Sequence, residues 1–397
     1  MRSFLFCILA IIPSSLPAQQ SNTDGSVLRA LPLEAEPIEP SVKPLPSSQP
    51  ASPIKIAPRR TPNQSITPET DASLTRASDA LSVPTIHEKP EGDDAVRLQI
   101  FLDQSNFGPG VIDGKPGRFT QLAVQSWNEA NGHPIDSWTA VNTAARKKIQ
   151  NPFAVAIVPE VATKWVNTKL SYKKAQQAKA KRMSYRSVGE FMSERYHTDV
   201  PYLIALNTSS KVYNLKVGDS IIVPNVGPFQ IEDLTGAAFK EDEALSERHA
   251  VVDTKLNQVR IYEANLRALV VADPKKPASV ANKSLIAAFP ITPGKPQFIR
   301  YGKWKMLNAV ELPVWRYDQQ LLDTGKRSKN ALNIPGGPNN PVGVLWAGLS
   351  KPGIGMHGTS NPETIGRSRS AGCIRLANWD IVRIPKILRP GCSVEIR

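Results

Sequence analysis

From about residue 248 to its end the chain is a series of short β-branched runs broken by Gly, Pro and Asn, and this pattern constrains the fold more than any other feature. Ala250-Val251-Val252-Asp253 and Gln258-Val259-Arg260-Ile261-Tyr262 flank Lys255-Leu256-Asn257, which predicts a hairpin. Leu269-Val270-Val271, Leu285-Ile286-Ala287-Ala288-Phe289 and Val342-Gly343-Val344-Leu345-Trp346-Ala347 continue the strand-like spacing. Short strands between turns predict a mainly-β domain over 248–397, either a sandwich or a half-open barrel.

The upstream sequence reads differently. Arg2, the apolar run from Phe4 to Ile12, and the small residues before Ala18 have the layout of an export leader over 1–18, with a buried strand or an uncleaved anchor as the alternatives. The run is too short to span a bilayer. Residues 19–92 are rich in Pro, Ser, Thr and Ala and cannot form a core, so they read as a disordered tether. Its ends would lie roughly 50 Å apart if flexible and about 230 Å apart if extended.

Order is expected from about Asp94. Leu98, Phe101 and Leu102 have helical spacing, the turn residues 107–114 follow, and Thr120 is placed to cap a second helix carrying Leu122, Ala123, Val124 and Trp127. This gives a small helical unit at 93–152. Residues 153–226 hold a basic stretch and a small α+β module. Lys173, Lys174, Lys179, Lys181, Arg182 and Arg186 read as a solvated face. Val188, Phe191 and Met192 lie on one helical face, and Asp199-x-Pro201 starts a second helix. Leu215-Lys216-Val217-Gly218-Asp219 turns into the strand Ser220-Ile221-Ile222-Val223-Pro224, whose opening partner strand is indistinct.

The 397 residues carry 49 Lys and Arg against 35 Asp and Glu, a net charge of +14 that favours anionic partners without choosing among them. A cleaved leader excludes cytoplasmic nucleic acid. It also removes Cys7 and leaves Cys373 and Cys392, too few for a disulfide scaffold. The five histidines are scattered and no C-x-x-C or H-E-x-x-H occurs, so neither metal nor cofactor is expected.

The densest chemical signal is Gly355-Met356-His357-Gly358-Thr359-Ser360 followed by Ser370-Ala371-Gly372-Cys373-Ile374-Arg375-Leu376. A β domain can hold His357 at a strand end and return Cys373 to its side. A thiol beside an imidazole can become a thiolate of lowered pKa that attacks a carbonyl, with His357 then protonating the leaving amine. Gly358 and Gly372 would let backbone approach a substrate, N–H groups around Cys373 would hold an oxyanion, and Arg375 would orient a carboxylate. Spacing alone leaves other readings open. Cys373 as a buried small hydrophobe, Cys373 bridged to Cys392, and Arg375 as a loop brace are all consistent with it.

His357-Gly358-Thr359, Ile365-Gly366, Ser370-x-Gly372-Cys373-Ile374-Arg375-Leu376, Asn378-x-Asp380 and the run from Asn333 to Gly343 together resemble the L,D-transpeptidase catalytic domain. The turn Gly110-Val111-Ile112-Asp113-Gly114 with Thr120 and Trp127 resembles the peptidoglycan-binding helical repeat. Ile204-Ala205-Leu206-Asn207 with Val217-Gly218-Asp219 and Ile222-Val223-Pro224 resembles LysM. The resemblance implies a mixed β-sandwich and a periplasmic or wall location. It implies peptidoglycan stem peptides and glycan as partners, with no nucleic acid and with membrane contact only through an uncleaved leader.

It further implies Cys373 as nucleophile and His357 as base, with Ser370, Gly372, Arg375, Gly358 and Thr359 around the site and a backbone carbonyl, which Gly358 can supply, orienting the histidine. The implied reaction acylates the cysteine with the third residue of a tetrapeptide stem, releases D-alanine and forms a 3→3 crosslink. Hydrolysis of the same acyl-enzyme, attachment of a wall protein, and wall binding without catalysis are the alternatives. Ala371 stands where many members have histidine.

Overall fold

The computed structural model describes residues 88–263, 285–320, 326, 328–367 and 372–397. The leader at 1–18, the tether up to residue 87, the run 269–271, and Ser370 and Ala371 fall outside these residues. Among the described residues no helix is long and apolar enough to cross a membrane.

Three helices come first: α1 (Gly92–Gln104), α2 (Arg118–Asn131) and α3 (Thr139–Lys148). Phe101 meets Trp127 edge-on at 5.6 Å between ring centroids. Thr120 does not cap α2. The cap is Gly117, and Thr120 lies buried inside the helix within reach of the Gln99 amide. Gln99 spans the turn, because its Oε1 accepts from the N–H groups of Asp113 and Gly114.

The opening strand of the next module lies well upstream of its helices. β1 (Phe153–Ile157) pairs antiparallel with β2 (Ser220–Pro224), Phe153 opposite Pro224 and Ile157 opposite Ser220. The single-turn helices α4 (Ala162–Trp165) and α5 (Lys174–Gln177) precede α6 (Val188–Arg195), α7 (Val200–Leu206) and α8 (Ser209–Tyr213). Ser187, Asp199 and Thr208 cap the last three by accepting from backbone N–H groups of their first turns. Only part of the basic stretch is a solvated face: Lys173, Lys179 and Lys181 are exposed, whereas the other three cations pack on aromatic rings. Lys174 sits over the Trp315 and Tyr317 rings, Arg182 over Trp165 and Arg186 over Tyr172, while Met183 is buried. Aromatic faces hold these cations and let the strap pack.

The rest is one curled mixed sheet. Its strands are β3 (Ala238–Phe239), β4 (His249–Asp253), β5 (Gln258–Tyr262), β6 (Leu285–Pro290), β7 (Gly302–Glu311), β10 (Leu345–Leu349), β11 (Gly355–His357), β12 (Ile374–Arg375) and β13 (Ser393–Ile396), and a separate hairpin pairs β8 (Trp315–Tyr317) with β9 (Leu332–Ile334). The order is β12-β11-β10-β7-β13-β4-β5-β6, with β3 also on β7, so the sheet begins upstream of residue 248. β10 starts at Leu345, three residues later than the sequence pattern suggests, because Asn340 folds residues 340–343 into a turn by accepting from the Val342 N–H. β7 turns the curl: its first half pairs with β13 and its second with β10. Thr292, just past β6, exchanges both backbone hydrogen bonds with Arg375 of β12. The two ends of the sheet therefore meet, as in a nearly closed barrel.

The free edge of β6 is covered by the helical unit. Ala288 donates to Asn106 O and accepts from Gly108 N–H, so the edge is paired at that residue. Two helices, α9 (Asn378–Ile381) and α10 (Ile384–Ile387), follow β12. Arg383 bonds to Asp103 of α1 at 2.7 Å, His197 reaches the same carboxylate at 3.1 Å, and His197 stacks on Trp379. Asp380 is buried beside this cluster without a hydrogen-bond partner among the described residues, and burial pushes its carboxyl up to about 8.

Glu194 is raised to about 8 as well, by burial and by Glu190 and Glu363, despite its bonds to Tyr185 and Asn378. The folded chain thus holds protons that the unfolded chain releases near pH 4, so the contribution of these two carboxyls to stability falls as pH rises from about 4 through 8. Asp380→Asn is expected to flatten that fall in thermal unfolding between pH 5 and 9, with its largest gain at the alkaline end. A variant whose melting profile tracks the wild type at every pH would contradict this.

Candidate active site

β11 and β12 run parallel, with Met356 opposite Ile374 and His357 opposite Arg375. One step back along the ladder sets Cys373 beside Gly355. Side chains alternate across a strand, so His357, Cys373 and Arg375 share one face of the sheet. The site lies where the barrel closes, and its backbone is fixed on both sides: Leu376 N–H donates to His357 O, and Arg375 is locked to Thr292.

His357 is fully buried. Its Nδ1–H donates to the Gly358 carbonyl at 2.6 Å. That bond selects the tautomer with a bare Nε2, which has no hydrogen-bond partner among the described residues. Trp346 of β10 stacks on the ring at 5.7 Å and fixes its plane. Burial, helped by the Arg375 charge, lowers the imidazole to about 3 against the pull of the Gly358 carbonyl.

Cys373 is 3% exposed and sits in a small apolar cluster with Trp346, Trp315, Val342 and Met183. Its S–H donates to Gly353 O at 3.4 Å. Burial raises the thiol to about 11, opposed by the Gly355 backbone and by Arg375. The expectation of a lowered thiol pKa is therefore overturned. In the closed site both groups are neutral, because a dry pocket disfavours each charged form. No disulfide joins Cys373 to Cys392, which lies in the main core with its thiol raised to about 12. Alkylation of the unfolded, unreduced protein is expected to label both cysteines; a pair that resists labelling until reduced would contradict this.

The glycines are required by the protein's own packing. Gly358 lies so close to Asn378 Oδ1 that a Cβ there would meet it at 2.2 Å. Gly372, at φ +118°, abuts Gly294, whose added Cβ would sit 2.4 Å from the Gly372 Cα. Thr359 is buried and accepts from Asn361 N–H. Arg375 is held in place by its backbone, and its buried Nε has no hydrogen-bond partner among the described residues. Ser370 lies outside the described residues.

Residues 267–396 match the family model YkuD, the L,D-transpeptidase catalytic domain. This chain carries an L,D-transpeptidase catalytic domain. Among curated proteins, "Putative L,D-transpeptidase YkuD" of Bacillus subtilis (strain 168) is 42% identical over 65 residues, 16% of this chain and 40% of that protein. "Putative L,D-transpeptidase YqjB" of the same strain is 39% identical over 70 residues, again 16% and 40%. The match thus spans about two fifths of each relative's length. Among solved structures, L,D-transpeptidase 3 from Mycobacterium tuberculosis with a faropenem-derived adduct aligns at TM-score 0.28 and 14% identity, over 46% of this chain and 76% of that one. An L,D-transpeptidase from Mycobacterium smegmatis aligns at TM-score 0.27 and 15% identity, over 38% and 58%.

The L,D-transpeptidase domain thus brings His357, Cys373 and Arg375 together and places Thr359 and Gly372 as backbone supports. Trp346 had only a β-strand pattern to mark it, and nothing in its own neighbourhood signalled a stack on His357. Glu194, whose Oε1 accepts from Asn378 Nδ2 at 2.7 Å, comes from the upstream module 184 residues away and carries no local signal at all.

Proposed function

We propose that the chain is an extracytoplasmic peptidoglycan L,D-transpeptidase that works through an acyl-enzyme on Cys373. The observation that carries this is the pairing, on one sheet face, of a cysteine with a histidine whose Nδ1 is committed to a backbone carbonyl and whose Nε2 is bare. A histidine held this way is a base at one nitrogen only.

In this reading the stem peptide displaces the S–H from Gly353 O. The thiol proton passes to His357 Nε2 as Sγ attacks the carbonyl of the third stem residue, so charge separates only while the bond forms. Collapse of the tetrahedral species breaks the peptide bond. The leaving D-alanine amine takes the proton back from His357, and a thioester remains. An amine of a neighbouring stem then attacks the thioester, gives its proton to His357, and departs as a 3→3 crosslink while the thiol is restored. Arg375 is placed to meet a stem carboxylate. The helical unit at 93–152 and the LysM-like module would hold glycan near the site, which matches the chain's positive charge.

The test is product analysis by mass spectrometry with purified disaccharide-tetrapeptides. Crosslinked dimers with one D-alanine released per bond are the expected result. Free tripeptide without dimers would point to water as the acceptor, a carboxypeptidase. No change in the substrate, from protein shown to be folded, would overturn the enzymatic reading.

A further inference from the structure

We propose that Glu194, on α6 of the upstream module, is a positioning residue for His357 that acts through Asn378 and the Gly358 carbonyl. The inference rests on the reading of Cys373 and His357 as the acyl-transfer pair and extends the site beyond the catalytic domain.

The chain of contacts is continuous. Glu194 is 5% exposed. Its Oε2 accepts from the Tyr185 hydroxyl and its Oε1 from Asn378 Nδ2, at 2.7 Å for the latter. Asn378 is fully buried, and its Oδ1 accepts from Val344 N–H at 3.1 Å. The same Oδ1 leaves no room beside Gly358, where an added Cβ would meet it at 2.2 Å, and one added at Gly343 would meet the Gly358 Cα at 2.4 Å. Gly358 in turn presents the carbonyl that receives His357 Nδ1–H.

The amide of Asn378 works in only one orientation. Flipped, it would set its NH2 against Val344 N–H, donor against donor, and Glu194 Oε1 would lose the donation it receives from Nδ2. Glu194 supplies the acceptor that fixes the flip, and through it the position of the carbonyl that keeps Nε2 bare. Neighbouring contacts make the junction rigid. Asn339 Nδ2 donates to Glu190 Oε1 at 2.7 Å and to Ser184 O, and the Met183 backbone bonds to both Gly336 and Asn339. Loop 336–344, which carries the glycine beside Gly358, is therefore held by the upstream module as much as by its own sheet. Outer residues that orient a functional histidine typically affect activity 10–100-fold when removed.

The experiment compares full-length Glu194→Gln, Glu194→Met and Asn378→Asp with the wild type in steady-state turnover of tetrapeptide stems, each folded by near-ultraviolet circular dichroism. Gln keeps an acceptor for Asn378 and a partner for Tyr185, so E194Q is expected within about threefold of wild type. Met keeps the volume and removes the acceptor, so E194M is expected to lose at least about tenfold in kcat with KM changed less than about threefold. N378D leaves α6 untouched, sets a carboxyl against Glu194, and decides the matter if E194M does not fold; it is expected to lose kcat in the same way. Wild-type kcat in folded E194M or N378D would overturn the inference, as would equal losses in E194Q and E194M. A wild type that turns over nothing would instead overturn the acyl-transfer reading on which it rests.

Discussion

Cys373→Ala is expected to abolish acyl transfer, with at least a 10⁴-fold loss in turnover, on the scale of about 10⁶ seen when a nucleophile acting as one unit with its base is removed. The protein should remain folded. Cys373 sits in a small apolar cluster, and its S–H makes a weak donation to the Gly353 carbonyl. Truncating a single sulfur in such a cluster costs on the order of 1 kcal/mol, a small part of a domain's stability. Cys392→Ala is the control. That thiol lies in the main core, away from His357, so turnover should be unaffected. Steady-state assays of the two variants, normalised to folded protein, separate a nucleophile from a buried small hydrophobe. Comparable activity in both would show that Cys373 belongs to the second class.

The second large effect concerns His357 and pH. His357→Ala is expected to lower kcat by roughly 10²–10⁴-fold, the usual contribution of a positioned general base. In the wild type the imidazole is held down to about 3, so it is already neutral, and able to accept a proton, throughout the working range. An unshifted histidine would switch activity on near pH 6.5. The kcat/KM profile of this enzyme is instead expected to be flat from about pH 5 to 8. The thiol gives the complementary sign. Because burial raises it to about 11, alkylation of Cys373 in the folded protein should keep rising beyond pH 9, where a thiolate–imidazolium pair would have levelled off by neutrality. An acid limb centred near pH 6.5, together with an early plateau in alkylation, would replace the neutral pair with an ion pair.

Sequence and structure agree where the determinants are local. The hairpin 250–262 is specified by residues within a few positions of one another, and β4 and β5 appear where the pattern puts them. The capping roles of Asp199 and Ser187 act within one turn of helix. What the sequence could not display is pairing across distance. β1 finds β2 after an intervening stretch with three cations packed on aromatic rings, and hydropathy along the chain marks neither the strand partner nor the strap. The closure of the barrel through Thr292 and Arg375 has no sequence pattern, since it needs only two backbone groups at the right place.

The protonation state of the site is not legible in the sequence for the same reason. The spacing of His357 and Cys373 speaks for proximity, and proximity alone favours an ion pair. Burial depends on what covers the pair, here Trp346 and the cluster with Trp315 and Met183, and this reverses the balance. A site that is neutral at rest has a chemical advantage in an oxidising compartment. A buried, protonated thiol is a poor target for adventitious oxidation.

The most direct test of the account is the intact mass of the full-length protein after exposure to a carbapenem, a strained acyl donor that needs only a nucleophile and its base. One covalent adduct per chain, located on Cys373 by peptide mapping, absent from Cys373→Ala and slow to form in His357→Ala, is the predicted result. An unmodified wild type, or an adduct that persists in Cys373→Ala, would contradict it.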